Sequence, residues 1–160
     1  MTTNVLAPLA GTVVSLEHVP DEVFAAQLVG SGVAIEPADT ADDVEVLAPV
    51  SGRILKLHPH AFVILRDDAA GVLVHIGIDT VKLRGEGFTV HAEEKSVVSA
   101  GQPIITFNPA KIRAQNLSAV CPVVIMDTAP RLIPEDGLTG RQVVAGEDLF
   151  DWIPRPGTGR

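Results

Sequence analysis

Cysteine is nearly absent from this 160-residue chain. The lone Cys121 excludes an intrachain disulfide and fits a reducing compartment. Positive charge is also short: 12 Lys and Arg face 20 Asp and Glu, for a formal net charge of −8. A nucleic-acid backbone wants a basic face, so that partner class is set aside, whereas an acidic surface suits solubility and basic protein partners. Long apolar runs are missing, and none approaches the ~18 residues of a membrane helix. The opening "MTTNVLAPLAG" has no basic stretch followed by an apolar one, so no signal peptide is read there. The expectation is a cytoplasmic protein without membrane insertion.

Helical periodicity is scarce as well. What is present is apolar residues, 46% of the chain with a mean hydropathy of +0.30, enough to build a core. They come in short Val/Ile/Leu runs punctuated by Gly, Pro and Asp, which predicts an all-β sandwich or barrel with at most short helical turns. Strands are expected around 11–16, 32–36, 45–48, 52–57, 61–65, 71–78, 88–91, 103–107, 121–126 and 141–144. "NPAKIRAQN" (108–116), with Pro109 near its start, is the candidate helix. The chain reads as one domain over residues 1–153 with a flexible tail at 154–160.

Two internal echoes suggest duplication. "VLAPLAGTVV" (5–14) returns as "VLAPVSGRIL" (46–55), and "SVVSAGQPIITF" (96–107) is echoed by "RQVVAGEDLFDW" (141–152). Each unit offers a strand, a Gly turn and a strand, so two similar β-units are expected to face each other.

Chemistry gathers around "GVLVHIGIDTV" (71–81), an apolar run with a histidine in its middle. If 60–65 and 72–79 are antiparallel neighbours and the turn centres on Asp67-Asp68, His60 falls directly opposite His75, close enough for the rings to touch. Alternation puts Val72, Val74, Ile76 and Ile78 on one face, and Leu73, His75, Gly77 and Asp79 on the other. Phe62 and Ile64 would share the face of His60. One histidine on a strand is usually structural. Two that meet leave three chemical uses: metal ligation, acid–base work, or a nucleophilic imidazole helped by its neighbour.

The stretch "HIGIDTVKLRGEGF" (75–88), together with "HAF" (60–62), "APLAGTVV", "VPDEVFAAQLVGSGVAIEP" (19–37), "VLAPVSG" and "CPVVI", resembles the glucose-family enzyme IIA domain of the bacterial phosphoenolpyruvate-dependent sugar phosphotransferase system. The likeness runs from about Val5 to Met126 and continues more weakly to about Trp152. It implies a duplicated all-β sandwich. It also implies a phosphoryl carrier, loaded by the histidine-containing phosphocarrier protein and discharged to a cysteine on a IIB domain for coupled sugar uptake. His75 matches the phosphorylated histidine of the family and His60 the auxiliary one. Val23, Phe24, Phe62, Leu73 and Val81 match the apolar docking surface, and Asp21 and Asp79 match acidic positions that meet the carrier protein. Regulatory protein targets are common in the family, and nothing in this sequence specifies one. One departure stands out: His58 occupies the place of a family threonine thought to orient the phosphorylated ring, which makes His58 a candidate for that task.

No cofactor is required on this reading, although His60 and His75 are candidate ligands for an adventitious or partner-shared zinc. A rival reading is a zinc metallopeptidase, since "HPH" (58–60) is an H-x-H and "HIGID" (75–79) an H-x-x-x-D. The order of those motifs is reversed relative to the peptidase family that uses both. A lipoyl-type carrier is a weaker rival, because no lysine sits in a Met-Lys-Met or Asp-Lys-Ala motif. Cys121 reads as a small buried apolar residue.

Overall fold

A computed structural model describes residues 3–67, 70–133 and 137–152. The expected tail at 154–160 lies outside them. Short β-rich runs form thirteen strands among the described residues: β1 (Thr3–Leu6), β2 (Gly11–Val14), β3 (Gly30–Pro37), β4 (Val44–Leu47), β5 (Gly52–His58), β6 (Ala61–Leu65), β7 (Gly71–His75), β8 (Phe88–Val90), β9 (Val97–Val98), β10 (Pro103–Phe107), β11 (Cys121–Met126), β12 (Gln142–Val143) and β13 (Asp148–Trp152). Two short helices interrupt them, α1 (Glu22–Ala25) and α2 (Pro109–Ala114). The helix expected within 108–116 is α2; Asn108 caps it by accepting from Lys111 N, and Pro109 supplies the first turn.

The strands form an eight-stranded sheet in the order β12-β2-β3-β11-β7-β6-β5-β9, a three-stranded sheet β4-β10-β8 and the pair β1-β13. Every ladder is antiparallel. The two outer strands at each end of the large sheet correspond through the internal echoes, β2 with β5 and β12 with β9, so the sheet is symmetric about the β11–β7 junction. Leu6 N donates to Pro49 O, and Leu47 N donates to Pro8 O. Ala7 N bonds Glu147 O as Ala48 N bonds Gln102 O, and Gly146 N bonds Ala7 O as Gly101 N bonds Ala48 O. The same bonds made twice by matching sequence units are what a duplicated β-architecture requires.

The inner face of the large sheet presents Val33, Ile35, Ile54, Phe62, Ile64, Val72, Val74, Val123 and Ile125 to the smaller sheets, which contribute Val5, Val46, Ile105, Phe107, Leu149 and Phe150. A second apolar cluster lies on the sheet's other side. There Ala34 and Val124, with half-buried Leu73 against them, are covered by Leu16, Val19, Phe24, Ile78 and Val120. The segment carrying α1 is thereby clamped over the middle of the sheet, next to the end of β7.

The β6–β7 ladder corrects one expectation. It pairs Ala61 with His75, Phe62 with Val74 and Ile64 with Val72, one residue away from the expected His60–His75 opposition. A one-residue slip exchanges the faces. Phe62 is therefore a core residue, 1% exposed, and is no part of a docking surface. The strand expected over 71–78 stops at His75, because Gly77 (φ +74°) and Asp79 (φ +62°) turn the backbone. Ile76 still enters the main core, but Ile78 joins the second cluster instead of sharing its face. The expected strand ranges omit β1, β9 and β13, although the repeat units imply a strand on each side of their Gly turns; α1, a single turn, was not anticipated.

Burial of Phe62 makes a prediction. Phe62→Ala should lower the unfolding free energy by about 3–5 kcal/mol, read by urea denaturation followed by circular dichroism. A loss below about 1 kcal/mol would place this ring outside the core.

Candidate functional site

His75 is the last residue of β7, on the outer face of the sheet, and is half-buried. His60 is half-buried in the tight turn Pro59-His60 that joins β5 to β6, where His58 pairs with Ala61 across the hairpin. Ile76 N donates to His60 O at 2.7 Å, which ties that turn to the end of β7. The two rings meet edge to face with centroids 5.4 Å apart and an interplanar angle of 69°. Sequence reasoning foresaw their meeting, but it comes from a turn residue reaching across the hairpin end rather than from direct opposition.

The imidazole of His75 is oriented by one hydrogen bond. Its Nδ1 lies 2.5 Å from Gly77 O. A carbonyl oxygen only accepts, so Nδ1 carries the proton and Nε2 keeps its lone pair. Gly77 turns its carbonyl back toward the ring because its φ of +74° is open to glycine. The space beside it is taken: a Cβ there would stand 2.6 Å from Thr80 Cγ2 and 3.0 Å from Ser118 O. Thr80 Oγ1 donates to Ile76 O at 2.6 Å and Ile78 N donates to Ser118 O at 2.9 Å, fixing the backbone on either side of Gly77. This glycine carbonyl was missed by sequence reasoning. The signal was present, since a glycine inside a strand pattern marks a bend or a close approach.

Neighbouring rings and charges set the protonation. Phe24, the buried residue of α1, lies edge-on to His75 with centroids 5.3 Å apart. Burial pushes the pKa of His75 below the usual histidine value, while the Gly77 carbonyl, Asp21 and Asp79 pull it part of the way back. Burial also lowers the pKa of His60, helped by the charges that His75 and His58 would carry. Both rings are therefore neutral at pH 7. His58 is exposed and stacks on His60, with centroids 5.5 Å apart and planes at 23°. It touches the ring of His60 rather than that of His75.

The remaining predicted residues distribute clearly. Asp21 caps α1, its Oδ1 accepting from Val23 N at 2.9 Å and Phe24 N at 3.2 Å, so its charge is held in place. Asp79 is exposed in the left-handed region just before the 3-10 turn Thr80–Leu83. Val23 and Val81 are 46% and 58% exposed, unusual for valine and consistent with an outer contact surface. Leu73 is half-buried against the second cluster. Leu28, 72% exposed at the end of the α1 segment, was not foreseen, and nothing in its local sequence marks it. Cys121 is buried and its thiol is pushed up to about 12, which leaves it protonated and inert, as read from the sequence.

The duplication explains why there is one such site. Gly30–Met126 is the ladder pair that corresponds to Ala61–His75, and Asp127 N bonds Val29 O as Ile76 N bonds His60 O. The second half of the fold thus places Met126 and Val29 where the first places His75 and His60.

Residues 3–130 match the family model for the phosphoenolpyruvate-dependent sugar phosphotransferase system, EIIA 1. The chain belongs to this family. It is 39% identical over 127 residues to the glucose-specific EIIA component of Oceanobacillus iheyensis, covering 78% of this chain and 74% of that one. It is 43% identical over 124 residues to a glucose-specific EIIBCA component of Corynebacterium glutamicum, covering 76% of this chain and 18% of that longer protein. The solved glucose permease IIA from Mycoplasma capricolum superposes with a TM-score of 0.83 at 31% identity, covering 94% of this chain and 96% of the other. The EIIA domain is a phosphoryl carrier and a phosphotransferase component of its system. The duplicated β-sandwich expected from the repeats is the fold of the family. The metallopeptidase alternative is not supported: the family is that of a sugar phosphotransferase component, and among the described residues no three His, Cys, Asp or Glu side chains converge as a metal site.

Gly77→Ala tests the ring's anchor. It should shift His75 toward a mixture of tautomers, seen in imidazole 15N NMR, and cost about 1–3 kcal/mol of stability. An unchanged Nδ1–H tautomer with wild-type stability would contradict the anchoring role.

Proposed function

We propose that His75 is the phosphoryl acceptor of this EIIA domain, with Nε2 as the nucleophile. The observation that carries the reading is the Nδ1–Gly77 hydrogen bond, which leaves a neutral, half-buried Nε2 beside a second histidine. The Nε2 lone pair attacks phosphorus in line, the bond from phosphorus to the donor nitrogen breaks, and its electron pair leaves with the donor. The positive charge that develops on the His75 ring is met by the Gly77 carbonyl through Nδ1–H and by Asp21 and Asp79. His60, neutral and held by its turn, donates a ring N–H to a phosphoryl oxygen. His58, stacked on His60, is the positioning residue for that ring.

The donor we infer is the histidine-containing phosphocarrier protein, and the acceptor a cysteine of a IIB domain. An EIIA sequence fused within EIIBCA components supports the IIB assignment. Exposed Val23 and Val81 with Asp21 and Asp79 form the docking surface in this proposal; an apolar centre with acidic points suits a basic partner. Leu28 joins it as an exposed apolar neighbour of α1. Relatives named for glucose and mannose support a hexose permease downstream. The reaction runs in the cytoplasm and uses no metal. His60 and His75 supply two of the four ligands that a tetrahedral zinc takes, so a zinc here would draw the rest from a partner.

Incubation with phosphoenolpyruvate, enzyme I and the phosphocarrier protein should add one acid-labile phosphoryl group by intact-mass spectrometry, and none to His75→Ala. A phosphorylated His75→Ala would move the site elsewhere. His60→Ala should fold normally and slow transfer by about a hundredfold or more; unchanged kinetics would mean that the rings do not cooperate. With both pKa values lowered, the neutral forms persist below pH 6.5. Transfer should therefore hold steady from neutral pH down to that value and fall only at lower pH, measured by quenched-flow phosphorylation. A midpoint above 6.5 would contradict the lowered His75.

A further inference from the structure

A groove of about 640 Å³ opens between the 82–88 segment and α2, away from the carrier histidines, neither of which lines it. Its volume falls within the roughly 300–1,000 Å³ of small-molecule sites. Buried Ile112 and half-buried Leu83 and Phe88 provide apolar wall. Lys82, Arg84 and Lys111 line it with three positive charges against the single carboxylate of Glu86, in a chain whose net charge is −8. The cations are uncommitted. Arg53, Arg66, Arg113, Arg131 and Arg141 all have hydrogen-bond or ion-pair partners, whereas among the described residues no side-chain partner is found for Arg84, Lys82 or Lys111.

We propose that this groove binds a small organic phosphate. The excess of two positive charges matches a phosphate dianion, and a guanidinium fork beside two ammonium groups is the usual protein answer to phosphate oxygens. The apolar wall calls for a carbon skeleton attached to that phosphate rather than for the inorganic ion. The groove's walls also reach the supports of the histidine site. A Cβ on Gly77 would lie 3.4 Å from Ile112 Cδ1, and one on Gly85 would lie 3.3 Å from Pro59 Cγ. The inference does not rest on His75 being the phosphoryl acceptor, and its test needs no phosphorylation.

The test is a 15N–1H NMR titration of the full chain with hexose 6-phosphate, phosphoenolpyruvate and inorganic phosphate as separate probes. At least one organic phosphate should shift the amides of 82–88 and 111–115, bind more tightly than inorganic phosphate, and weaken as salt rises. The arm that binds more tightly tells product-like from donor-like ligands. Arg84→Gln with Lys111→Gln should weaken binding about tenfold or more with signal dispersion intact. Glu86→Gln should tighten binding, and Lys56→Gln, outside the groove, should leave it unchanged. The proposal fails if no groove amide shifts with either organic phosphate. It also fails if shifts centre on His60 and His75, if inorganic phosphate binds as well as the esters, or if the double variant binds like wild type.

Discussion

The hydrogen bond from His75 Nδ1 to the Gly77 carbonyl is the contact on which the site depends. It selects the tautomer and leaves the free lone pair on Nε2, and in the proposed transfer it gives the ring a partner for the charge that bond formation at Nε2 creates. It exists because the chain turns at once after β7, with glycine in the left-handed region and Thr80 and Ser118 closing the space around it. A β-strand that simply continued to residue 78 would carry the carbonyl away and leave a histidine with no fixed orientation.

Around that bond, the fold separates two apolar jobs. The main core binds the sheets together through the inner face of the large sheet. The smaller cluster on the opposite face fastens α1, and with it Phe24 and the capped Asp21, beside His75. The result is an imidazole buried enough to stay neutral and open enough for a macromolecular partner to approach. Duplication built the scaffold twice but the histidine pair once, since Met126 and Val29 stand in the matching places of the other half.

Much of this was legible in the sequence, for identifiable reasons. Repeated "VLAP" segments announced the duplication because they make the same reciprocal backbone bonds in both units. A histidine in an oily run pointed to a second histidine meeting it at the hairpin end, and the two rings do meet. The exact pairing of β6 with β7 was not legible, since the polar linker from Arg66 admits neighbouring turn centres and each one exchanges the faces. That ambiguity put Phe62 on the face of His60, and the family resemblance matched it to a docking surface, whereas it belongs to the core. The exposure of Leu28 depends on tertiary placement, which no local pattern encodes, whereas the bend at Gly77 was signalled by a glycine inside a strand pattern. Asp21, by contrast, is a helix cap and a charge near His75 at the same time, so the structural and functional readings of that residue do not compete.

The measurement that bears most directly on this account is the position of the phosphoryl group on the ring. Phosphorylated chain, labelled with 15N in its histidines, should show phosphorus–nitrogen coupling to Nε2 of His75 while Nδ1 retains its proton. Coupling to Nδ1, or a phosphoryl group on His60 or His58, would contradict the orientation that the Gly77 carbonyl imposes.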